Sequence, residues 1–464
     1  MKSRVLAQGW VWCSLLLTLG CARPQSLRSQ DVLGHIASDY RAFFPSRQDP
    51  QPGQDLGLLR PRFGLPAIVP PGQPLQIELL IRGEPSLPQL SLVAGSQAVP
   101  LRIVSQQREP LSHGASRLLL QVVPTADLAA QSYDLQLVSA SDAPVRAPRA
   151  VWIRHLPDGP GARPLRVAQL SDIHIGKGRA QLREHLEQII DDLNARAPDL
   201  VLVTGDIANV GGRRDLLEEA RDRLLRIQAP VVVVPGNHDL GFDPKTLLGA
   251  GYARGWPAFA HVFHPHLFFG FQLAGWEFVG FDSGPSTVSM RVLTRGLSDD
   301  TVAALHEQLT FAHTQGRHGV VLFSHAPSRA MLSTRTDPKG IGLFGRMRHG
   351  ARAFERELLD ASQRLRVLHL SGHTHWADLF EARAPQGQRP QRFHRWPARA
   401  ISPCLQPISG RASLINAQSA THTTFHLRRN AQGHGYVWLE LDKDAPKVAF
   451  VRYHGATQQR CPAS

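Results

Sequence analysis

Between residues 165 and 375 the chain alternates apolar runs with amphipathic stretches, and each apolar run closes on polar side chains. The runs are Leu165-Arg-Val-Ala-Gln-Leu-Ser-Asp-Ile-His174, Leu200-Val-Leu-Val-Thr-Gly-Asp206, Val231-Val-Val-Val-Pro-Gly-Asn-His-Asp239, Gly319-Val-Val-Leu-Phe-Ser-His325 and Leu365-Arg-Val-Leu-His-Leu-Ser-Gly-His-Thr-His375. Four successive valines suit a strand covered on both faces, and Pro235-Gly236 breaks it so that a loop presents Asn237, His238 and Asp239. Leu182, Leu186, Ile189, Ile190 and Leu193 line one face of a helix, and Leu216, Leu217, Ala220, Leu224 and Leu225 do so for a second. Ser298 is the expected N-cap of a third, with Asp299 and Asp300 in its first turn. Such alternation predicts strand-helix-strand units, so the polar residues recur at the carboxyl edge of one sheet, where open α/β folds bind ligands.

Upstream the period differs. Leu75, Ile77, Leu79 and Ile81, then Leu118, Leu120 and Val122, then Tyr133, Leu135 and Leu137 alternate with polar residues, with turn residues at Pro70-Pro-Gly72, Gly95 and Gly114 between the runs. That pattern predicts an all-β, immunoglobulin- or fibronectin-like sandwich over 63–156, structural or adhesive in role. From 164 to 464 we expect an α/β body with a β-rich C-terminal extension, in which Thr423-Thr-Phe-His-Leu and Tyr436-Val-Trp-Leu-Glu-Leu pair. Residues 22–62, rich in Pro, Gln, Arg and Ser, read as a linker.

Met1-Lys-Ser-Arg4 followed by the short apolar stretch Gly9–Gly20 reads as an export signal over 1–21, too short to span a bilayer. Gly20-Cys21 is similar to a lipoprotein cleavage box, so Cys21 is the expected site of lipidation and membrane anchoring. The expected location is the periplasm or outer membrane, with simple secretion as the alternative. In such an oxidising compartment Cys404 and Cys461 become a candidate disulfide, with two free buried thiols as the alternative. The 464 residues, 42% hydrophobic and 19% charged, exclude a disordered chain. The formal net charge of +14 rests on 52 basic residues, six of them Lys, which suits either phosphate binding or plain surface arginine. No basic-aromatic nucleic-acid module stands out.

Collected in order, the run ends give Asp172-x-His174, Gly205-Asp206, Gly236-Asn-His-Asp239, Ser324-His325 and Gly372-His-Thr-His375. Each alone arises by chance in many proteins. Together they resemble the calcineurin-like metallophosphoesterase signature over about residues 165–380, which implies a two-layered β-sheet sandwich flanked by helices. The donor set of imidazole, carboxylate and amide oxygen without thiolate suits Fe, Mn or Zn. Two such ions clamp a phosphoryl displacement and activate water. By resemblance Asp172, His174 and His375 hold the first ion and Asn237, His325 and His373 the second. Asp206 bridges, having two oxygens.

The resemblance also implies that His238 is no ligand but protonates the leaving oxygen or steadies the phosphoryl group, while Asp239 holds or polarises that edge. His261, His264 and His266 read as structural. Purple acid phosphatases carry a tyrosine where this chain has Asn209, and Asp239, with Asp172-Ile-His174 and Gly372-His-Thr-His375, is closer to the bacterial branch that includes cyclic-nucleotide phosphodiesterases. Arg346 and Arg348, in the basic insertion Ser328–Arg352 beyond His325, are candidates to grip an anionic substrate. The expected function is hydrolysis of phosphate mono- or diesters outside the cytoplasm. The alternative is a surface-tethered adhesion or binding lipoprotein whose β-sandwich carries the role.

Overall fold

A computed structural model of the chain describes residues 56–461 apart from 85, 112–113, 140–143, 158–161, 179, 241–251, 284–295, 331–345, 348, 384–389, 391, 398–400, 422–432, 455–456 and 460, and apart from the side chains of 252–254. The expected export signal, Cys21, residues 22–55 of the expected linker, Arg348 and the strand at 423–427 lie outside the described residues, whereas 56–60, at the end of that linker, form a strand.

The first eight strands are β1 (Leu56–Arg60), β2 (Ala67–Val69), β3 (Leu75–Arg82), β4 (Gln89–Ala94), β5 (Gln97–Pro110), β6 (Ala115–Pro124), β7 (Ser132–Val138) and β8 (Val145–Ile153). They pair in the order β1-β3-β6-β5-β4-β7-β8-β2. The alternating residues of β3, β6 and β7 point into one core, because period-two strands bury every second side chain. Glu78 of β3 breaks the alternation, being buried beside Arg60, Arg117 and His266. The segment between β1 and β2 belongs to other cores: Phe63 and Leu65 pack into the α/β body, and Gly64 accepts a hydrogen bond from Val233 N.

The α/β body has two seven-stranded sheets face to face. In the first, β9 (Leu165–Leu170), β10 (Leu200–Thr204) and β11 (Val231–Val234) run parallel. In the second, after β12 (Phe268–Leu273), the strands β13 (Trp276–Phe281), β14 (Gly319–Phe323) and β15 (Arg366–Ser371) run parallel. The chain then passes through β16 (Asp378–Ala382), β17 (Phe393–Arg395), β18 (Gln406–Pro407), β19 (Ala412–Asn416), β20 (His434–Leu441), β21 (Lys447–His454) and β22 (Thr457–Gln458). Several of these late strands are interior members of the two sheets. β19 lies between β15 and β16, and β20 between β9 and β21.

The inner faces share an apolar core. On one outer face pack α1 (Ala180–Arg196), α2 (Arg214–Leu224) and α3 (Tyr252–Val262). On the other pack α4 (Asp299–Thr314) and α5 (Ala351–Ala361). All five apolar residues expected on the inner face of α1 are buried, and Ser298 Oγ caps α4 by accepting from Thr301 N. Cys404 and Cys461 form a disulfide. No described helix is long and apolar enough to cross a membrane.

Candidate metal centre

Every polar run end converges at the carboxyl edge of the parallel strands, where three groups of potential ligands share members: Asp172, His174 and His375; His174, Asp206 and His238; Asp206, His325 and His373. Asn237 joins the third, its Oδ1 3.1 Å from His325 Nε2. Asp172, His174, Asp206, Asn237 and His325 are buried, while His238, His373 and His375 are half-buried and form the open rim.

The backbone is bent to achieve this. Asp172, His174, Asp206, His373 and His375 all have φ between 51° and 69°, a left-handed conformation that costs a residue with a side chain about 1–3 kcal/mol. Tight approach is the other device. A Cβ on Gly236 would lie 2.2 Å from Asp206 Oδ1, and one on Gly205, itself at φ 84°, would lie 2.6 Å from Gly236 N. The two loops pass at backbone contact because both residues are glycine.

Each carboxylate spends one oxygen on the protein and turns the other inward. Asp172 Oδ2 accepts from His373 N at 2.9 Å, and Asp206 Oδ1 accepts from His238 N at 2.9 Å. Asp172 Oδ1 is buried and receives no hydrogen bond; His375 Nε2 lies 3.2 Å from it. Asp206 Oδ2 lies 3.2 Å from His325 Nε2, 3.7 Å from His174 Nε2 and 4.0 Å from His238 Nε2. Asp206 Oδ2 is therefore the oxygen of this carboxylate that faces both sets of imidazoles.

His325 Nδ1 lies 2.8 Å from the Thr204 carbonyl, which only accepts, so Nδ1 carries the proton and Nε2 of the neutral ring is a lone pair. That lone pair faces two acceptors, Asn237 Oδ1 and Asp206 Oδ2, within 3.2 Å, and His373 Nδ1 at 3.1 Å. Acceptors crowded on acceptors need a cation between them. Without one, a proton serves: burial pulls the His325 pKa down, but Asp206 outweighs it and holds it at about 9. Asp206 shows the converse, since burial would raise its pKa but His325, His238 and His174 hold it well below the usual carboxylate range. Burial, reinforced by His238, keeps His174 neutral as a ligand must be. Orphaned oxygen, neutral imidazoles and paired acceptors all fit hard or borderline divalent ions.

His238 donates Nδ1–H to the Asn209 carbonyl at 2.7 Å, leaving Nε2 towards the cluster. Burial lowers its pKa. Asn209 thus enters the site through its backbone, a role no side-chain motif announces. Asp239 belongs to none of the three groups. Its oxygens accept from Ile207, Ala208 and Gly236 N–H, so it holds the loops together. Burial and neighbouring Asp206 push its pKa up to about 7.

Among the arginines beyond His325, Arg329 is committed to Glu355 through two bonds of 2.8 and 2.6 Å. Arg346 is half-buried with an Nε that has no hydrogen-bond partner. On α1 and α2, Arg183, Arg214 and Arg223 all pair with glutamates, so that basic face is internally neutralised. His264 and His266 are fully buried, and His264 Nε2 lies 2.9 Å from the Val233 carbonyl.

The calcineurin-like phosphoesterase family model matches residues 165–377. A "probable cyclic nucleotide phosphodiesterase" of Synechococcus sp. is 25% identical over 247 residues, 52% of this chain and 82% of its own length. Among solved structures, a purple acid phosphatase from yellow lupin seeds aligns at TM-score 0.46 and 12% identity, covering 79% of this chain and 70% of its own. A dimetal phosphatase from Danio rerio aligns at TM-score 0.37 and 16% identity, covering 60% and 93%.

Proposed function

Since residues 165–377 belong to the calcineurin-like phosphoesterase family and the chain is accordingly a hydrolase of phosphoester bonds, we propose that it works through two transition-metal ions on substrates outside the cytoplasm. The observation that carries the two-ion reading is the convergence of Asp206 Oδ2 on both His174 and His325. Asp172, His174 and His375 would hold one ion, Asn237, His325 and His373 the other, and Asp206 both. Bound there, Fe, Mn or Zn supplies Lewis acidity towards the phosphoryl oxygens and a water acidified for attack.

The chain's own residues do the rest. The buried carboxylates fix the charge of the floor. His373 and His375 at the rim leave the approach open on the side of His238, whose Nε2 is aimed at the cluster while its other nitrogen is anchored to Asn209. From that position His238 transfers a proton to the departing oxygen. Arg346, and Arg348 beside it in sequence, would bind the anionic remainder of the substrate.

We read the all-β unit as an accessory domain of immunoglobulin or fibronectin kind, and the amino terminus as an export signal with lipidation at Cys21. The similarity to a cyclic nucleotide phosphodiesterase favours diesters, and the envelope location favours nucleotides or phosphorylated head groups over an intracellular messenger. The test is turnover of an aryl phosphodiester and an aryl phosphomonoester by the purified chain before and after metal stripping. Loss on stripping and recovery with Mn²⁺ or Zn²⁺ supports the reading; undiminished turnover by the stripped protein refutes it.

A further inference from the structure

Three consecutive carbonyls of the turn after β9 accept hydrogen bonds from one short segment that follows β19. Ala420 N donates to Ser171 O at 2.8 Å, Ser419 Oγ to Asp172 O at 2.7 Å, and Thr421 Oγ1 to Ile173 O at 2.7 Å. On the opposite side the turn's own N–H groups are taken by the loop after β10: Asp172 N by Gly205 O, His174 N by Asp206 O and Ile175 N by Ile207 O. The β9–β20 ladder stops at Gln169. Beyond it the backbone enters the left-handed conformations of Asp172 and His174, and side-chain hydroxyls stand where a neighbouring strand would have offered N–H groups.

The clamp is itself fixed. Ser419 O accepts from Gly435 N at 3.1 Å, Ser419 Oγ accepts from Thr421 N at 3.3 Å, and Thr421 O lies 2.8 Å from His185 Nδ1. His185 in turn stacks on His434 with ring centroids 3.6 Å apart. Ser419 and Thr421 have no solvent exposure. Removing either hydroxyl leaves a buried carbonyl without its donor, in a turn that holds its strained shape only while its surroundings impose it.

We propose that Ser419 and Thr421 are positioning residues of the metal centre, holding the Asp172–His174 turn so that Asp172 Oδ1 and His174 Nε2 meet at the first ion. The proposal rests on the two-ion reading above. Its test is calorimetric titration of metal-stripped protein with Mn²⁺, together with the melting temperature of the stripped form, for wild type, Ser419→Ala, Thr421→Val and the hydroxyl-keeping Thr421→Ser. In Ser419→Ala and Thr421→Val the ion held by Asp172, His174 and His375 should bind about 10–100-fold more weakly. The second ion should bind as in wild type, the stripped proteins should melt only a few degrees below wild type, and Thr421→Ser should bind like wild type. Wild-type affinity for both ions in Ser419→Ala and Thr421→Val would overturn the proposal. So would equal weakening of both ions in step with a lowered melting temperature, or a Thr421→Ser variant as weak as Thr421→Val. A wild-type protein that takes up no ion at all would instead refute the metal reading itself.

Discussion

Lowering the pH from about 7.5 to about 5 should cost this protein stability through buried histidines that are not metal ligands. His369, His264 and His266 are buried, and burial, joined at His264 and His266 by neighbouring cationic groups, lowers each pKa from 6.5 to about 3. His369 is the simplest case. Burial alone shifts it, its ring packs between Phe281 and Phe354, its Nε2 meets Ser324 Oγ at 2.9 Å, and its Nδ1 has no hydrogen-bond partner for a second proton.

A histidine whose folded pKa lies below its unfolded one binds fewer protons when folded. Its stability is fully present above pH 6.5 and is lost as pH falls towards 3. At about pH 5 the unfolded ring is protonated and the folded ring is not, which costs about 2 kcal/mol per histidine. His264 and His266 lie side by side and influence each other, so their losses do not simply add to that of His369. Urea unfolding of metal-stripped wild type and His369→Gln at the two pH values isolates the His369 share, because groups with raised pKa values, Asp239 and His325, act in the opposite sense in both proteins. His369→Gln does not titrate, so its loss on acidification should be about 2 kcal/mol smaller than that of wild type whatever its stability at neutral pH. An identical loss in both proteins would refute a neutral, buried His369.

His238→Ala should retain its metals while kcat falls by roughly 10²–10⁴ for an alkoxide leaving group and far less for p-nitrophenolate. A uniform loss across leaving groups would mean that His238 stabilises phosphoryl charge, and loss of metal would make it a ligand. Gly236→Ala places a methyl 2.2 Å from Asp206 Oδ1, so ester turnover should fall by about 10² or more as Asp206 is displaced; turnover equal to wild type would contradict the close approach. Neutralising Arg346 and Arg348 should raise KM for a charged diester more than for an aryl phosphate, and equal KM changes would remove them from substrate binding.

Much of this architecture was legible because strands and chemistry coincide: each apolar run ends where its polar residues are needed, so β9, β10, β11, β14 and β15 could be placed together with their cargo. The rest is hidden for physical reasons. Asp and His visit the left-handed backbone more often than other residues with side chains, but too rarely for their identity at Asp172, His174, Asp206, His373 and His375 to signal it as glycine would have done. Asp239 carries the same carboxyl as Asp206, and only the three N–H groups around it show that it anchors the loops. Asn209 acts through a carbonyl that every residue possesses. Ser419 and Thr421 had a signal, since Ala412-Ser-Leu-Ile-Asn416 is one more apolar run leading into hydroxyls, but it lies past the last motif histidine. Glu78 breaks the strand alternation because the α/β body covers the outer face of β3 there, which period-two reasoning on an isolated sheet cannot foresee.

Elemental analysis of the purified chain tests the central claim most directly. The account predicts about two transition-metal ions per wild-type molecule, about one in His375→Ala, and close to none in Asp206→Ala, because Oδ2 of that one residue faces both sets of ligands. Equal metal content in wild type and Asp206→Ala would contradict it.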